Sequence, residues 1–268
     1  MKKFWLVGLF VFVLGLSLIA VSCSKDEEET PPTVPPSSVF SMNFSNFDTT
    51  GALLRTTMDS TRCPHFDTAV VVVTVWSVIT QALFILPQLA FVLAASQQPV
   101  YEGDKKWRWT FGNVQSNNIS LYGTIVSDSV LWEMKVTNQD ISDFLWYDGK
   151  CDLNALGGWW RLNQDDGTHN EEPALWVKWQ RASQQQRASL LLANIIQGDA
   201  NYGDSVSYVI SGSIATASFK DVGSPRDGRW TITWDTTMHY GSIMYPESTE
   251  SCWDDSFDCI DCDSIPVK

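Results

Sequence analysis

Cysteine is the residue with the most chemistry to offer in this chain. Cys252, Cys259 and Cys262 crowd into the C-terminal stretch among Asp254, Asp255, Asp258, Asp261 and Asp263, and Cys259 and Cys262 form a C-x-x-C. A working dithiol keeps its thiol pKa low with a helix N-terminus or nearby cations. Here the neighbours are carboxylates, no helix-sized segment follows, and the nearest cation is Lys268. Structural zinc takes four ligands, and only three cysteines are local. A disulfide-stapled acidic tail is therefore expected, with no metal and no cofactor. The candidates for pairing are Cys63, Cys151, Cys252, Cys259 and Cys262; spacing leaves the connectivity open, and one thiol remains over.

The other reactive residue types form no catalytic constellation. His65, His169 and His239 stand in no metal-binding pair or nucleophile motif. Asp165, Asp166, Glu171 and Glu172 gather around Gly167, but a calcium loop needs an oxygen ligand five residues before its glycine, and that position is Leu162. This segment reads as an acidic hairpin tip. Paired carboxylates for glycoside hydrolysis would need a set separation across a cleft, which spacing along a chain does not supply. A non-catalytic protein is expected, either structural or ligand-binding.

The sixth cysteine, Cys23, has a different setting. Lys2 and Lys3 precede 17 uncharged residues, Phe4 to Ala20, and the sequence then reads Val21-Ser22-Cys23. A basic start, an apolar run and small residues before a cut are the parts of a secretory signal. Ile19-Ala20-Val21-Ser22-Cys23 resembles the lipobox of bacterial lipoproteins. That resemblance implies removal of residues 1–22 and acylation of Cys23 with diacylglyceryl and palmitate-type chains. Ser24-Lys25-Asp26-Glu27-Glu28-Glu29 is similar to the acidic signal that sends some lipoproteins to the outer face of the outer membrane. Pro31, Pro32, Pro35 and Pro36 follow, so residues 23–40 are expected to be a stiff tether.

Without residues 1–22 the chain keeps 16 basic and 31 acidic side chains, a net charge of −15. That excludes nucleic acid as a partner, since such affinity rests on Lys and Arg neutralising phosphates. The membrane is then met through the N-terminal lipid. The remaining length suits one domain, residues 41–250, followed by the acidic Cys-rich tail 251–268.

Two periodicities organise that domain. Thr68 to Val100 carries no charge, and Thr74, Ser77, Gln81 and Gln88 fall on one narrow helical stripe. This predicts an apolar helix over about 69–95, buried nearly all round and kinked or broken at Pro87; hydropathy alone would also permit a membrane span here. After Tyr101 the period becomes two. Lys106-Trp107-Arg108-Trp109-Thr110-Phe111 and Arg229-Trp230-Thr231-Ile232-Thr233-Trp234 each put their large apolar residues on one face. Gly, Asn and Asp clusters separate about ten such runs, as in an antiparallel meander.

The expected fold is mainly β: a meander of about ten strands curled into a barrel or open cup, packed against one buried apolar helix. An open cup with an apolar lid is similar in outline to the Lol-type lipoprotein carriers, a likeness of architecture with no shared motif. If the helix leaves room, Trp107, Trp109, Phe111, Trp230, Ile232 and Trp234 would line a cavity for a lipid or other apolar small molecule. The alternative is a surface glycan-binding or adhesion module, with Trp160 and Trp176 as stacking platforms, each on the face opposite a neighbouring tryptophan.

Overall fold

Alternating burial builds one long meander. The computed structural model describes residues 29–40, 42, 44, 47, 62–114, 116–164, 171–181, 187–222, 228–246 and 249–265. The expected signal 1–22, the lipidation site Cys23, the acidic run through Glu28, residues 165–170 of the acidic hairpin tip and residues 182–186 lie outside the described residues. Residues 1–31 form one unit and Pro32–Lys268 another.

The second unit opens with a 3₁₀ turn, Ser37–Phe40, and a helix, α1, Pro64–Ala95. Fourteen strands follow: β1 Val100–Gly103, β2 Lys106–Val114, β3 Asn117–Val126, β4 Ser129–Thr137, β5 Phe144–Asp152, β6 Gly157–Gln164 and β7 Glu172–Arg181. Then come β8 Arg187–Asn194, β9 Ser205–Ser211, β10 Ile214–Lys220, β11 Arg229–Asp235, β12 Gly241–Met244, β13 Glu250–Trp253 and β14 Cys259–Ile260. They form a single antiparallel sheet in chain order, with β1 and β14 at its two edges. The open arrangement, not the closed barrel, is the one adopted. Among the described residues that is about four more than the expected ten; β1 and β12–β14 have only two to four residues each, too short to display alternation.

The helix crosses the strands instead of running along a barrel axis. Phe66 packs on Trp253 of β13, Trp76 on Phe219 of β10, and Phe91 on Trp132 of β4, Tyr147 of β5 and Trp160 of β6. Phe66 to Phe91 is 25 residues, or ~38 Å at 1.5 Å per residue. From β13 to β5 is eight strand spacings, also ~38 Å at ~4.8 Å each. The two lengths agree only if the helix lies nearly perpendicular to the strands on an uncurled sheet.

A second element crosses the same face. Phe40 stacks on Trp160 of β6, Phe44 meets Tyr208 of β9 edge-on, and Phe47 meets Trp234 of β11 and Trp253 of β13. Phe40 also touches Phe84 and Phe91 of α1. Pro32, Pro35, Val39 and Phe40 are buried. Residues 32–40 are thus part of the folded unit, and the tether expected over 23–40 loses that portion: prolines that cannot join a ladder still pack as apolar bodies.

The inner face is spaced by glycine. In register across β2–β6 runs the row Trp107, Gly123, Trp132, Gly149, Trp160. Across β11–β13 runs Trp234, Gly241, Trp253. Trp132 lies over Gly123, Trp160 over Gly149 and Trp253 over Gly241, in the space a Cβ would need. Each indole leans onto the strand before it, and only a residue without a side chain lets it lie down.

Local chemistry fixes the helix ends. Pro64 occupies the first turn, where its missing N–H costs no hydrogen bond. Asp67 sits in that turn, paired with Arg62 at 3.2 Å, and favours the positive end of the helix dipole. At the other end Ser96 N and Oγ both donate to Leu93 O. The helix continues through Pro87, which is buried, so the expected break does not occur. Two disulfides tie the tail into the fold: Cys63–Cys259 joins the start of α1 to β14, and Cys252–Cys262 joins β13 to the second 3₁₀ turn, Cys262–Ser264. The tail expected over 251–268 therefore contributes β14 and most of β13 to the sheet.

Candidate functional site

The six residues expected to line an apolar cavity are placed in two separate parts of the core. Trp107, Trp109 and Phe111 are on β2; Trp230, Ile232 and Trp234 are on β11. Nine strand spacings, ~43 Å on an uncurled sheet, divide the two groups. Trp107, Trp109, Phe111, Ile232 and Trp234 are buried. Trp109 packs on Trp132, and Trp234 on Phe44, Phe47 and Tyr208. Trp230 is half-buried against Tyr245. The space between helix and sheet around these rings is filled by other rings.

Trp160 is corrected as a surface platform: it is fully buried beneath Phe40 and Phe91. The outward indole of the Trp159–Trp160 pair is Trp159, which is half-buried. Trp176 is on the outer face as expected, half-buried and opposite Arg161.

Trp159 marks the end of a trough of about 910 Å³ on the outer face of β6–β11. Its lining comes mostly from six strands: Trp159 on β6, Lys178 and Gln180 on β7, Ser189 on β8, Ser205 and Ser207 on β9, Ser218 and Lys220 on β10, and Arg229 on β11. In register, Trp159 stands between Lys150 and Lys178, and Lys220 faces Arg229. Among the described residues, neither Lys178, Lys220 nor Arg229 has an ion-pair partner. Opposing Lys220 and Arg229 repel each other, so an anion between them would relieve the repulsion.

One wall of the trough is a rigid turn. Asp152 accepts hydrogen bonds from the backbone N–H groups of Asn154 at 2.8 Å and Gly157 at 2.6 Å, and from Leu156. Ala155, with φ 52°, is buried at its apex. Arg181 at the floor is also buried and donates to the Ala155 carbonyl at 3.3 Å. Among the described residues Asp152 is the one acid lining this surface, and its oxygens are engaged by backbone. The trough is therefore cationic, although the chain as a whole is acidic.

The remaining titratable clusters serve the fold. Cys259 and Cys262 of the C-x-x-C are bonded to different partners, so they are no dithiol couple. Glu250 lies near Cys252 and Cys262, but those two sulfurs are spent on each other. Among the described residues Cys151 is the free thiol, the one left over from five. Burial pushes its pKa up to about 11, against the hydrogen bond it accepts from Trp132 Nε1 at 3.2 Å. Buried Asp235 accepts from Thr237 N and Met238 N at 2.7 Å each, from Ser213 Oγ at 2.7 Å and from Tyr240 Oη at 3.3 Å. Burial pushes its pKa up, but those four donors outweigh burial and hold it below its usual value of 3.8. Three of these bonds close the β11–β12 connection on itself, and the one from Ser213 ties it to the β9–β10 turn.

The helix presents a second surface. Phe66, Val70, Val73, Thr80, Phe84, Phe91 and Ala94 are buried, while Val71, Val75, Val78, Ala82, Ile85, Leu89 and Val92 are exposed. The expectation of burial nearly all round is thus corrected: an open sheet covers only one side of a helix laid across it. Thr74, Ser77 and Gln88 sit at the border, half-buried, and Gln88 donates to the Phe40 carbonyl at 3.4 Å. Comparison with protein-family models, with characterised proteins and with solved structures finds no match.

Proposed function

We propose that this chain is a non-catalytic lipoprotein of the bacterial outer membrane, held at the cell surface through Cys23, and that its outer trough binds acidic carbohydrate. The observation that carries the ligand assignment is the set of three cations without ion-pair partners, Lys178, Lys220 and Arg229, in a trough that ends on the half-buried Trp159. An indole offers a flat apolar face to a sugar ring. Ammonium and guanidinium groups suit its carboxylates or sulfates, and the serine hydroxyls and Gln180 amide suit its ring hydroxyls. The apolar-ligand alternative has less support, because aromatic rings occupy the core where that ligand would sit.

The test of the trough uses polygalacturonate, a uronic-acid polymer, against neutral dextran. Binding should favour the acid polymer and weaken with salt. A charge-assisted hydrogen bond contributes about 1.5–3 kcal/mol, so Lys178→Glu with Arg229→Glu should weaken it by on the order of 100-fold. Trp159→Ala should weaken both polymers. Equal affinity for dextran and polygalacturonate, or a charge-reversed variant that binds unchanged, refutes the assignment. The anchor is tested separately: a palmitate analogue should label the wild type but not Cys23→Ser.

A further inference from the structure

The outward stripe of α1, Val71, Val75, Val78, Ala82, Ile85, Leu89 and Val92, is spaced 4-3-4-3-4-3. That is the spacing of a helix-pairing seam. The buried face uses the same spacing through Phe66, Val70, Val73, Thr80, Phe84, Phe91 and Ala94, so α1 carries two seams on opposite sides. The sheet takes one. The six larger side chains of the other are each 36% to 63% exposed, and Ile79 and Leu83 flank them at 38% and 39%. No charged residue occurs between Thr68 and Val100.

We infer that this seam pairs with the same seam of a second copy, the two α1 helices antiparallel about a two-fold axis close to Ala82. The chemistry of the stripe selects that occupant over a bilayer. A helix lying in a lipid interface has a polar face rich in Lys and Arg, whereas the opposite face of α1 is apolar and already packed on the sheet.

The stripe also reads similarly in both directions. In an isologous contact residue i meets j of the other copy and j meets i, so Val71 would meet Val92, Val75 would meet Leu89 and Val78 would meet Ile85 around Ala82. Alanine at the centre lets two backbones approach, and larger residues at the ends fill the space as the helices diverge. The exposed apolar surface is on the order of 600 Å² per copy, the upper end of what monomers carry as one patch. Two copies would bury about 1,200 Å², the lower bound for stable association. The product is a four-layer sandwich, sheet–helix–helix–sheet, with both cationic troughs facing outward.

The test is site-directed crosslinking of the full chain, with oligomer mass measured in parallel. Ala82→Cys should form a disulfide-linked dimer under mild oxidation. Val71→Cys should not link to itself, but should link to Val92→Cys when the two variants are mixed. Val78→Asp, at an exposed position, should keep its circular dichroism and weaken dimerisation by on the order of 100-fold. A wild type that is monomeric at tens of micromolar, or self-crosslinking of Val71→Cys, overturns the inference. So does insertion of an Ala82-attached fluorophore into phosphatidylcholine vesicles.

Discussion

Replacing Gly149 by alanine should destabilise the protein more than any other single added methyl group on the inner face of β2–β6. Gly149 lies in register between Trp132 and Trp160. The new Cβ would meet the Trp160 ring, with Cζ3 at 2.6 Å, and the backbone carbonyl of Trp159 at 2.5 Å. A flexible side chain could swing away, but this obstacle combines a buried indole with main chain. The indole is itself held by Phe40 at 5.2 Å and Phe91 at 5.4 Å between ring centroids. Overpacking a core costs about 1–3 kcal/mol, and a site with no compliant neighbour falls at the top, about 3 kcal/mol.

For a domain of this size each kcal/mol moves Tm by roughly 2–4 °C, so Gly149→Ala should melt roughly 6–12 °C lower. Gly112→Ala is the control. There the new Cβ meets only Asn118 Oδ1, at 3.9 Å, so the change should lie between neutral and about 1 kcal/mol stabilising. Urea titration and calorimetry of the two variants measure the difference. Adding Trp160→Leu to Gly149→Ala removes the obstructing ring, so the double variant should lose less than the sum of the singles by at least about 1 kcal/mol. A Gly149→Ala protein as stable as Gly112→Ala, or strict additivity in the double variant, refutes the tryptophan-over-glycine account of the inner face.

The disulfides differ in the chain they close, 196 residues for Cys63–Cys259 and 10 for Cys252–Cys262. Loop-closure entropy assigns them about 5 and about 3 kcal/mol. Cys63→Ser/Cys259→Ser should therefore lower Tm more than Cys252→Ser/Cys262→Ser, and the reverse order would contradict the tail's role as a clamp on α1. Cys151, with its pKa raised to about 11 by burial, should be silent to a thiol reagent at pH 8 and react in denaturant; native labelling would show that β5 is less protected than its packing implies. Because the Asp235 carboxyl has its pKa lowered in the folded state, its contribution is present above the unfolded value and lost as pH falls through and below about 4. Asp235→Asn should thus be less stable at pH 7 and lose less further stability on acidification, and parallel acid-denaturation curves would count against the assigned bonds.

Period-two alternation correctly assigned the inward residues of β2 and β11, because each of those strands sets long apolar residues against Lys, Arg or Thr. It failed on β6, where Trp159 and Trp160 are adjacent and hydrophobicity cannot choose between them. The parity signal was present: Arg161 points outward and Leu162 inward, which sends Trp159 out with Arg161 and Trp160 in with Leu162. The helix was legible as a helix, but its uniformly apolar surface hid which side the sheet would take. Polar residues normally mark the solvent side, and here Thr74, Ser77 and Gln88 mark the border instead. The strap carried by Phe40, Phe44 and Phe47 has the 4-3 spacing of a helix, yet its rings reach from Trp160 of β6 to Trp234 of β11. That is five strand spacings or ~24 Å, where seven helical residues would cover only ~10 Å. The trough had no local signal at all, since Trp159, Lys178, Lys220 and Arg229 come from four strands and meet only through the register of β6–β11.

An open sheet of fourteen strands exposes two unpaired edges, and such edges invite uncontrolled pairing with other chains. Both are blunted here. β1 has four residues and a register shift between Tyr101 and Gly103; β14 has two residues and is tied by Cys259 to Cys63 at the start of α1. Growth by adding strands is thereby disfavoured, while the seam on α1 stays uncovered. Self-association through α1 and not through the edges has a distinct consequence: the helix seam faces away from the sheet, so pairing closes after two copies and consumes it. Edge pairing would leave a fresh edge after every addition. A concentration series that stops at the dimer fits the seam, and one that climbs through open-ended species would place the contact at β1 or β14 instead.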